Sequence, residues 1–440
     1  QRAADGGAEA LDAAHWRATI DAIARRGQRV LAFAQRAVDP AHTVLEYADL
    51  DGTLTLLGMV GMIDPPRAEA LQAVAECRDA GIRVKMITGD HALTASAIAR
   101  QIGLANSAAV LTGAELDQLD DTALQGAALD CDVFARTSPA HKLRLVMALQ
   151  AQGMTVAMTG DGVNDAPALK RADVGIAMGG KGSDAAREAA QLVLVDDNFA
   201  SIVAAVREGR TVYDNIKKMI SWTLPTNGGE ALIITMALLL GLTLPVIPIQ
   251  VLWINLVTEM TLGIALAFEP TEASTMRRPP RPRNEGLLGA ALIWHIVLVS
   301  LLFLAGTYGV FSYALERDYP VDLARTLAFN TIVVMEIFHL FFIRNIYGTS
   351  LTWQALRGTR AVWITVSILV LSQLAVTYLP PLQALFGTTA VPLRDGLLVI
   401  GIGVALFCII EVEKQIRLRF SGAGRGHAPA LAARGADDRS

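Results

Sequence analysis

Three cysteines in 440 residues, Cys77, Cys131 and Cys408, are too few and too widely spaced to form a disulfide framework or a thiolate metal site. There is no excess of positive charge either. Lys and Arg number 38 against 42 Asp and Glu, a net charge of -4, so nothing in the composition points to nucleic acid as a partner. Charged residues of both signs reach only 18% while hydrophobic residues reach 52%, and the mean hydropathy of +0.40 is too high for an ordinary soluble domain. That balance also excludes intrinsic disorder. The opening run from Gln1 to Ala10 lacks the apolar core of a signal peptide. With Gln1 in first place, the chain reads as one that has lost its beginning.

What is abundant is concentrated. Beyond residue 218 lie six apolar stretches, near 219 to 241, 246 to 268, 287 to 313, 323 to 343, 361 to 379 and 396 to 412, most of them close to the roughly 20 residues that a spanning helix requires. The sixth is the shortest. Positive residues fall at alternate ends: Lys217 and Lys218; Arg277, Arg278, Arg281 and Arg283; Arg344, Arg357 and Arg360; Lys414, Arg417 and Arg419. If every stretch spans, all four groups lie on one side, which the positive-inside rule makes cytoplasmic. The soluble half shares that side, so the reading is an integral membrane protein with a cytoplasmic soluble part.

Pro225, Asn227, Gly228, Gly229 and Glu230 interrupt the first stretch, a combination that predicts a broken helix lining a protein or water cavity. Asn227 and Glu230 share one helical face; Asn255, Thr258 and Glu259, at i, i+3 and i+4, share another. Glu336 is a third acid at membrane depth. Each buried acid costs roughly 2.5 to 3.5 kcal/mol on insertion scales, so the three glutamates together favour a functional reading. The amides and the hydroxyl, taken singly, serve equally well as helix-to-helix hydrogen bonds. Oxygen ligands without sulfur suit calcium, magnesium, an alkali ion or a proton, and argue against copper or zinc. His295 reads as packing, and His339, on the face of Glu336, is left open between packing and ligand.

Between about 56 and 196, short apolar runs (Leu56 to Gly61, Val84 to Thr88, Thr155 to Thr159, Val174 to Met178, Leu192 to Val195) alternate with helical stretches. That alternation predicts a parallel sheet flanked by helices, with ligands bound outside the carboxyl ends of its strands. Two strands lead into carboxylates there: one into Thr88, Gly89 and Asp90, the other into Gly160, Asp161, Gly162, Val163, Asn164 and Asp165. A lone Thr-Gly-Asp is usually a turn. The run TGDGVNDAPALK from Thr159 to Lys170 is more specific, placing Asp161 and Asp165 to hold a magnesium ion and to order a phosphate-bearing loop. Lys142, after Ser138 and Pro139 near a helix start, is positioned either to neutralise a transferring phosphoryl group or to serve as a solvated helix lysine.

MITGDHALTASAIARQIG, VFARTSPAHK, TGDGVNDAPALK and WINLVTE resemble the C-terminal half of a P-type ATPase of the cation-pumping P2 group, most closely the calcium-ATPase-like bacterial pumps, from about Gln28 to about Lys414. The resemblance implies an α/β haloacid-dehalogenase-like, Rossmann-like phosphorylation domain plus a transmembrane bundle of about six helices. It implies ATP and Mg2+ as cofactors, and a cycle in which an aspartyl phosphate switches membrane ion sites between two sides. It would make Asp161 the magnesium ligand, let Asn164 and Asp165 organise the phosphorylation site, set Lys142 on the phosphoryl group, and line the same site with Thr88, Gly89 and Asp90. Arg29, in QRVLAFAQR, would help to hold ATP. Asn227, Glu230, Asn255, Thr258, Glu259 and Glu336 would ligate the transported cation, calcium before sodium, proton or magnesium. Glu259 stands where aspartate is usual and His339 where an amide is common, which leaves ion and stoichiometry open. The lipid bilayer and the missing N-terminal half of the same pump are the implied partners.

The family's Asp-Lys-Thr-Gly-Thr run occurs nowhere in the sequence, so the expectation is that this chain alone neither phosphorylates itself nor pumps. An alternative is a membrane-anchored phosphatase: Asp49 to Thr55 spell Asp-x-Asp-Gly-Thr-Leu-Thr, with Asp49 as nucleophile and Asp51 as acid/base. Against it, Thr43 to Tyr47 is not a buried apolar strand, LTLLGMVGMIDPPR reads as a continuing strand, and Asp51-Gly52 reads as a hairpin turn. A non-catalytic binding piece is a third reading. The predicted organisation is a nucleotide-domain remnant at 1–48, a phosphorylation domain at 49–200, a stalk helix at 201–218, a transmembrane domain at 219–412 and a cytoplasmic tail at 413–440, disordered from Ser421 by composition.

Overall fold

A computed structural model describes residues 1, 7, 9–38, 44, 47–50, 54–63, 65–283, 285–345, 350 and 358–420. Arg357 and the tail beyond Phe420 lie outside the described residues. The chain divides into two units, 1–208 with 273–284, and 209–272 with 285–440.

In the first unit, β1 (Arg29–Gln35) pairs antiparallel with β2 (Thr55–Met62). The sequence placed Leu56 to Gly61 in the parallel sheet, and the structure corrects this: among the described residues β2 joins β1 and no parallel strand. Neither strand has a buried residue, so a central strand's burial on two faces is missing. The parallel strands form two ladders. One has the order β3 (Met86–Ile87), β5 (Val133–Ala135), β4 (Val110–Thr112); the other runs β6 (Ala157–Gly160), β7 (Val174–Met178), β8 (Leu192–Leu194). Ile87 packs against the cores of both, one built on Leu116, Phe134 and Leu145, the other on Val146, Met158 and Leu169. β4 and β5 escape sequence reading because three residues are too few to display a two-residue period. Residues 273–283 also belong here: Met276 packs with Ala73, Cys77 and Val203, and Arg283 Nη2 donates to Asp173 at 2.8 Å. Gly81, at φ +70, lets Pro279 approach where a Cβ would lie 2.9 Å from its Cα.

Among the described residues the second unit forms helices and no strand, and six helices are long and apolar enough to cross a membrane: Phe199–Leu240, Pro248–Ala267, Ala290–Glu316, Val321–Ile343, Arg360–Tyr378 and Leu393–Arg419. Each apolar stretch of the sequence falls in one of them. The sixth, shortest in the sequence, becomes one of the longest because its amphipathic end, Glu411 to Arg419, stays helical; Lys414 lies buried against Glu411 Oε2 at 2.8 Å. The predicted break at Pro225 does not occur: Phe199–Leu240 is one helix. Thr226 Oγ1 donates to the carbonyls of Trp222 and Thr223 in the preceding turn, and Ser300 Oγ donates to Pro225 O at 2.9 Å, so hydroxyls of this helix and of the third span brace the proline turn. Gly228 and Gly229 serve close packing: a Cβ on Gly228 would lie 2.5 Å from Ser300 Oγ, and one on Gly229 2.6 Å from Phe303 Cβ.

Candidate functional site

The strand tips of the first unit gather Lys142, Asp161 and Asp165. Ser138 caps the helix Pro139–Ala151, which places Lys142 in its first turn, and Lys142 Nζ reaches Asp165 Oδ1 at 2.6 Å. Asp165 is buried, at the end of the short turn Val163–Asp165 that follows β6. Its Oδ2 accepts from the backbone N–H groups of Asp161 (3.2 Å) and Gly162 (3.1 Å). Gly160 makes this fold-back possible, since a Cβ there would sit 2.5 Å from Asp165 Cβ. The two aspartates therefore differ: both oxygens of Asp165 are engaged inside the protein, while Asp161, exposed, offers a free carboxylate at the tip of β6. Its backbone O accepts from Ser183 N at 2.8 Å, which fixes the turn. Asn164 is exposed.

Thr88, Gly89 and Asp90 follow β3. Thr88 Oγ1 donates to Asp90 Oδ2 at 3.1 Å and accepts from Asp90 N at 3.1 Å. This loop is joined to the Lys142 helix: Arg136 N donates to Asp90 O, and Thr137 N to Thr88 O, both at 3.2 Å. Gly89 faces open space. Arg29 lies exposed at the start of β1, and no described contact joins it to the strand-tip residues. A hard divalent cation fits the free carboxylate of Asp161 and an anionic phosphate fits Lys142. Of the phosphatase pair, Asp51 lies outside the described residues, as does the Asp49 side chain; Asp49 itself falls in a helical turn, Tyr47–Leu50, not after a strand. LTLLGMVGM is the strand β2, as its pattern predicts.

In the second unit, Glu230 Oε2 accepts from Asn255 Nδ2 at 2.9 Å, which joins the first and second spans. Asn227 is half-buried on the first span. Glu336 is fully buried, and Glu230 and Glu259 lie near enough to interact with it electrostatically. Both oxygens of Glu336, Oε1 of Glu230, Oε1 of Glu259 and Oγ1 of Thr258 are buried without a hydrogen-bond partner. Unpaired buried oxygens of this kind are costly unless a ligand meets them. Asn255 and Thr258 stand in a π-helical segment, Ile254–Thr258, so their relation departs from the ideal i, i+3 face that the sequence implied. Among the described residues no three His, Cys, Asp or Glu converge tightly enough to hold a metal by themselves. A cation here would also draw on the amide and hydroxyl oxygens, in keeping with the 6 to 8 oxygens around calcium.

His295 and His339 face each other, Nε2 to Nε2 at 3.0 Å, with His295 stacked on Phe342. His295 thus packs, as expected, and its partner is His339. Sequence reasoning missed two further arrangements. Gln373 Nε2 donates to Asn330 Oδ1 at 2.7 Å while Trp253 Nε1 donates to Gln373 Oε1 at 3.0 Å. Arg344 and Glu269 form a buried ion pair at 2.6 Å. Their only sequence signal is a polar residue inside an apolar run.

Residues 4–173 match the family profile described as haloacid dehalogenase-like hydrolase, and residues 243–416 match that described as cation transporting ATPase, C-terminus. The probable cation-transporting ATPase F of Mycobacterium bovis is 44% identical over 416 residues, covering 93% of this chain and 46% of that protein. Over most of its length the chain is similar to P-type cation-transporting ATPases. The calcium-transporting ATPase of Bacillus subtilis is 43% identical over 391 residues, 87% of this chain and 43% of that protein. Calcium-transporting ATPase type 2C member 2 of Mus musculus is 38% identical over 370 residues, 82% of this chain and 39% of that protein. The chain thus spans about half the length, 46% in the M. bovis case, of the curated relatives it matches. Its fold is a haloacid-dehalogenase-like α/β unit with a six-helix apolar unit, and it is an integral membrane protein.

Proposed function

We propose that this chain carries the cation path and the phosphate-handling strand tips of an ATP-driven cation pump, with calcium as the cargo. The observation that carries the reading is the set of buried, unpartnered oxygens on Glu230, Thr258, Glu259 and Glu336. No cationic side chain pairs with them among the described residues, so a hard cation supplies the missing charge and coordination. Names of relatives, among them the calcium-transporting ATPase of B. subtilis, support calcium.

In the first unit, Asp161 would hold Mg2+, which supplies charge neutralisation to a phosphate when bound. Lys142 orients and neutralises the phosphoryl oxygens; Asp165 holds Lys142 and the Asp161-Gly162 backbone in place; Thr88, Gly89 and Asp90 line the same opening, and Asn164 helps to order its loop. Arg29 would contact ATP. The family cycle runs through an aspartyl phosphate, and its acceptor is assigned to no residue of this chain. The soluble unit and the positive flanks of the spans would be cytoplasmic, in a bacterial plasma membrane.

The test is equilibrium binding of radioactive calcium to the chain in lipid nanodiscs. We expect saturable binding that Glu336→Gln and Glu230→Gln each weaken at least tenfold, with the helical circular dichroism unchanged. Binding unaffected by both substitutions would remove the site. Binding of sodium or magnesium in place of calcium would keep the site and change the cargo.

A further inference from the structure

The geometry points to the Asp117–His141 pair as the positioning device that sets Lys142 against the strand-tip loops. This rests on the reading of Lys142 as a phosphate contact.

Ser138 caps the helix Pro139–Ala151, and His141 stands at the third helical position, where a capping box ordinarily has Glu or Gln. The imidazole takes that role: Ser138 N donates to His141 Nδ1 at 3.1 Å, and His141 N donates to Ser138 Oγ at 3.4 Å. Because Nδ1 accepts, the ring proton sits on Nε2, which lies 2.7 Å from Asp117 Oδ1. A carboxylate on Nε2–H fixes tautomer and ring orientation together. Glutamine at this position would cap the helix without that second attachment.

The ring is held in a slot. His141 is buried, and Gly113 provides the room: a Cβ there would lie 3.0 Å from His141 Cε1 and would collide with Arg136 O. Arg136 has φ +50, a left-handed conformation that is uncommon for a residue with a side chain. The turn Arg136–Thr137–Ser138 is therefore fixed at three points, to Asp90 O, to Thr88 O and to His141. Lys142 is the next residue, with its ammonium 2.6 Å from Asp165. Moving the imidazole loosens the cap of the helix whose first turn carries Lys142, and a shift of about 1 Å at a phosphate contact is enough to cost up to ~100-fold.

The experiment uses the whole chain in nanodiscs and needs no turnover. Lysines are trace-labelled with acetic anhydride and read by mass spectrometry, with and without Mg2+ and inorganic phosphate. The expected result is that Mg2+ with phosphate protects Lys142, that His141→Ala raises the phosphate needed for half-protection on the order of tenfold, that Asp117→Ala has a smaller effect in the same direction, and that His141→Gln restores most of the protection by restoring the cap. Thermal unfolding is followed for each variant. Wild-type protection in His141→Ala, or in Asp117→Ala at an unchanged melting temperature, overturns the positioning role. Asp117→Ala, altered at an exposed residue, decides the matter if His141→Ala does not fold. Failure of phosphate to protect Lys142 in the unaltered chain overturns the phosphate reading itself; the basal labelling of Lys142, raised or not by His141→Ala relative to other lysines, then shows separately whether the pair positions it.

Discussion

At the scale of single residues, the contrast between Asp161 and Asp165 is the sharpest. The run TGDGVNDAPALK makes them look like equal ligands four residues apart, and that much was legible in the sequence. The turn Val163–Asp165 then folds one carboxylate back over Gly160, onto two backbone N–H groups and Lys142. Asp165→Ala should lose roughly 2 kcal/mol, because it strips the partner from a half-buried ammonium and leaves two amides unpaired. Hydrogen exchange of residues 159–166 would report the loosening. Asp161→Asn, at an exposed position, should leave stability within about 0.5 kcal/mol while abolishing Mg2+-dependent phosphate protection of Lys142. Equal effects of the two substitutions on stability would contradict the division of labour.

At the scale of elements, the glycines of the first span were read as breakers and act as contacts. Composition was legible; the neighbour that gives it meaning was not, since Ser300 and Phe303 lie more than 70 positions away in sequence. Gly229→Ala should destabilise the helical unit by about 1 to 3 kcal/mol through overpacking against Phe303, measured by steric trapping or by thermal unfolding in detergent. Gly209→Ala, on the same helix with nothing within 4 Å of the added carbon, should gain about 0.5 to 1 kcal/mol from helix propensity. A loss in both would mean that the close approach is not the cause.

The attachment of residues 273–283 to the first unit is another property of elements. Burial pushes the Asp173 carboxyl up, but Val156 N–H, Gln150 and Arg283 together hold it below the usual aspartate range. A lowered value in the folded state means that the carboxylate contributes stability above the unfolded value, near 3.9, and loses it as pH falls through the folded one. Measured against the intrinsic rates, which themselves fall toward acid pH, amide exchange of the 273–283 segment should therefore lose protection below about pH 4. In Asp173→Asn the protection should be low at every pH and lack this acid dependence. Acid-insensitive protection in the unaltered chain would count against the Asp173–Arg283 attachment.

At the scale of the whole molecule, the step in composition near residue 218 anticipates two units of different solvent, and the structure divides the chain at 208/209 while returning 273–284 to the first unit. Six apolar runs, a strand-helix alternation and acidic residues at membrane depth were all written locally, because apolar length and short-range periodicity need no tertiary information. The sequence by itself therefore determined the two classes of unit, the number of candidate spans and the residue types available at the two candidate sites. The tertiary structure alone decided the partners: β2 with β1 and not with the parallel strands, Asn255 with Glu230, Trp222 Nε1 with the carbonyl of Glu336, Lys142 with Asp165, and Asp117 with His141. These pairs join residues 20 to 114 positions apart. No local pattern encodes such a choice, which is made by packing, burial and the need of each buried polar atom for a partner.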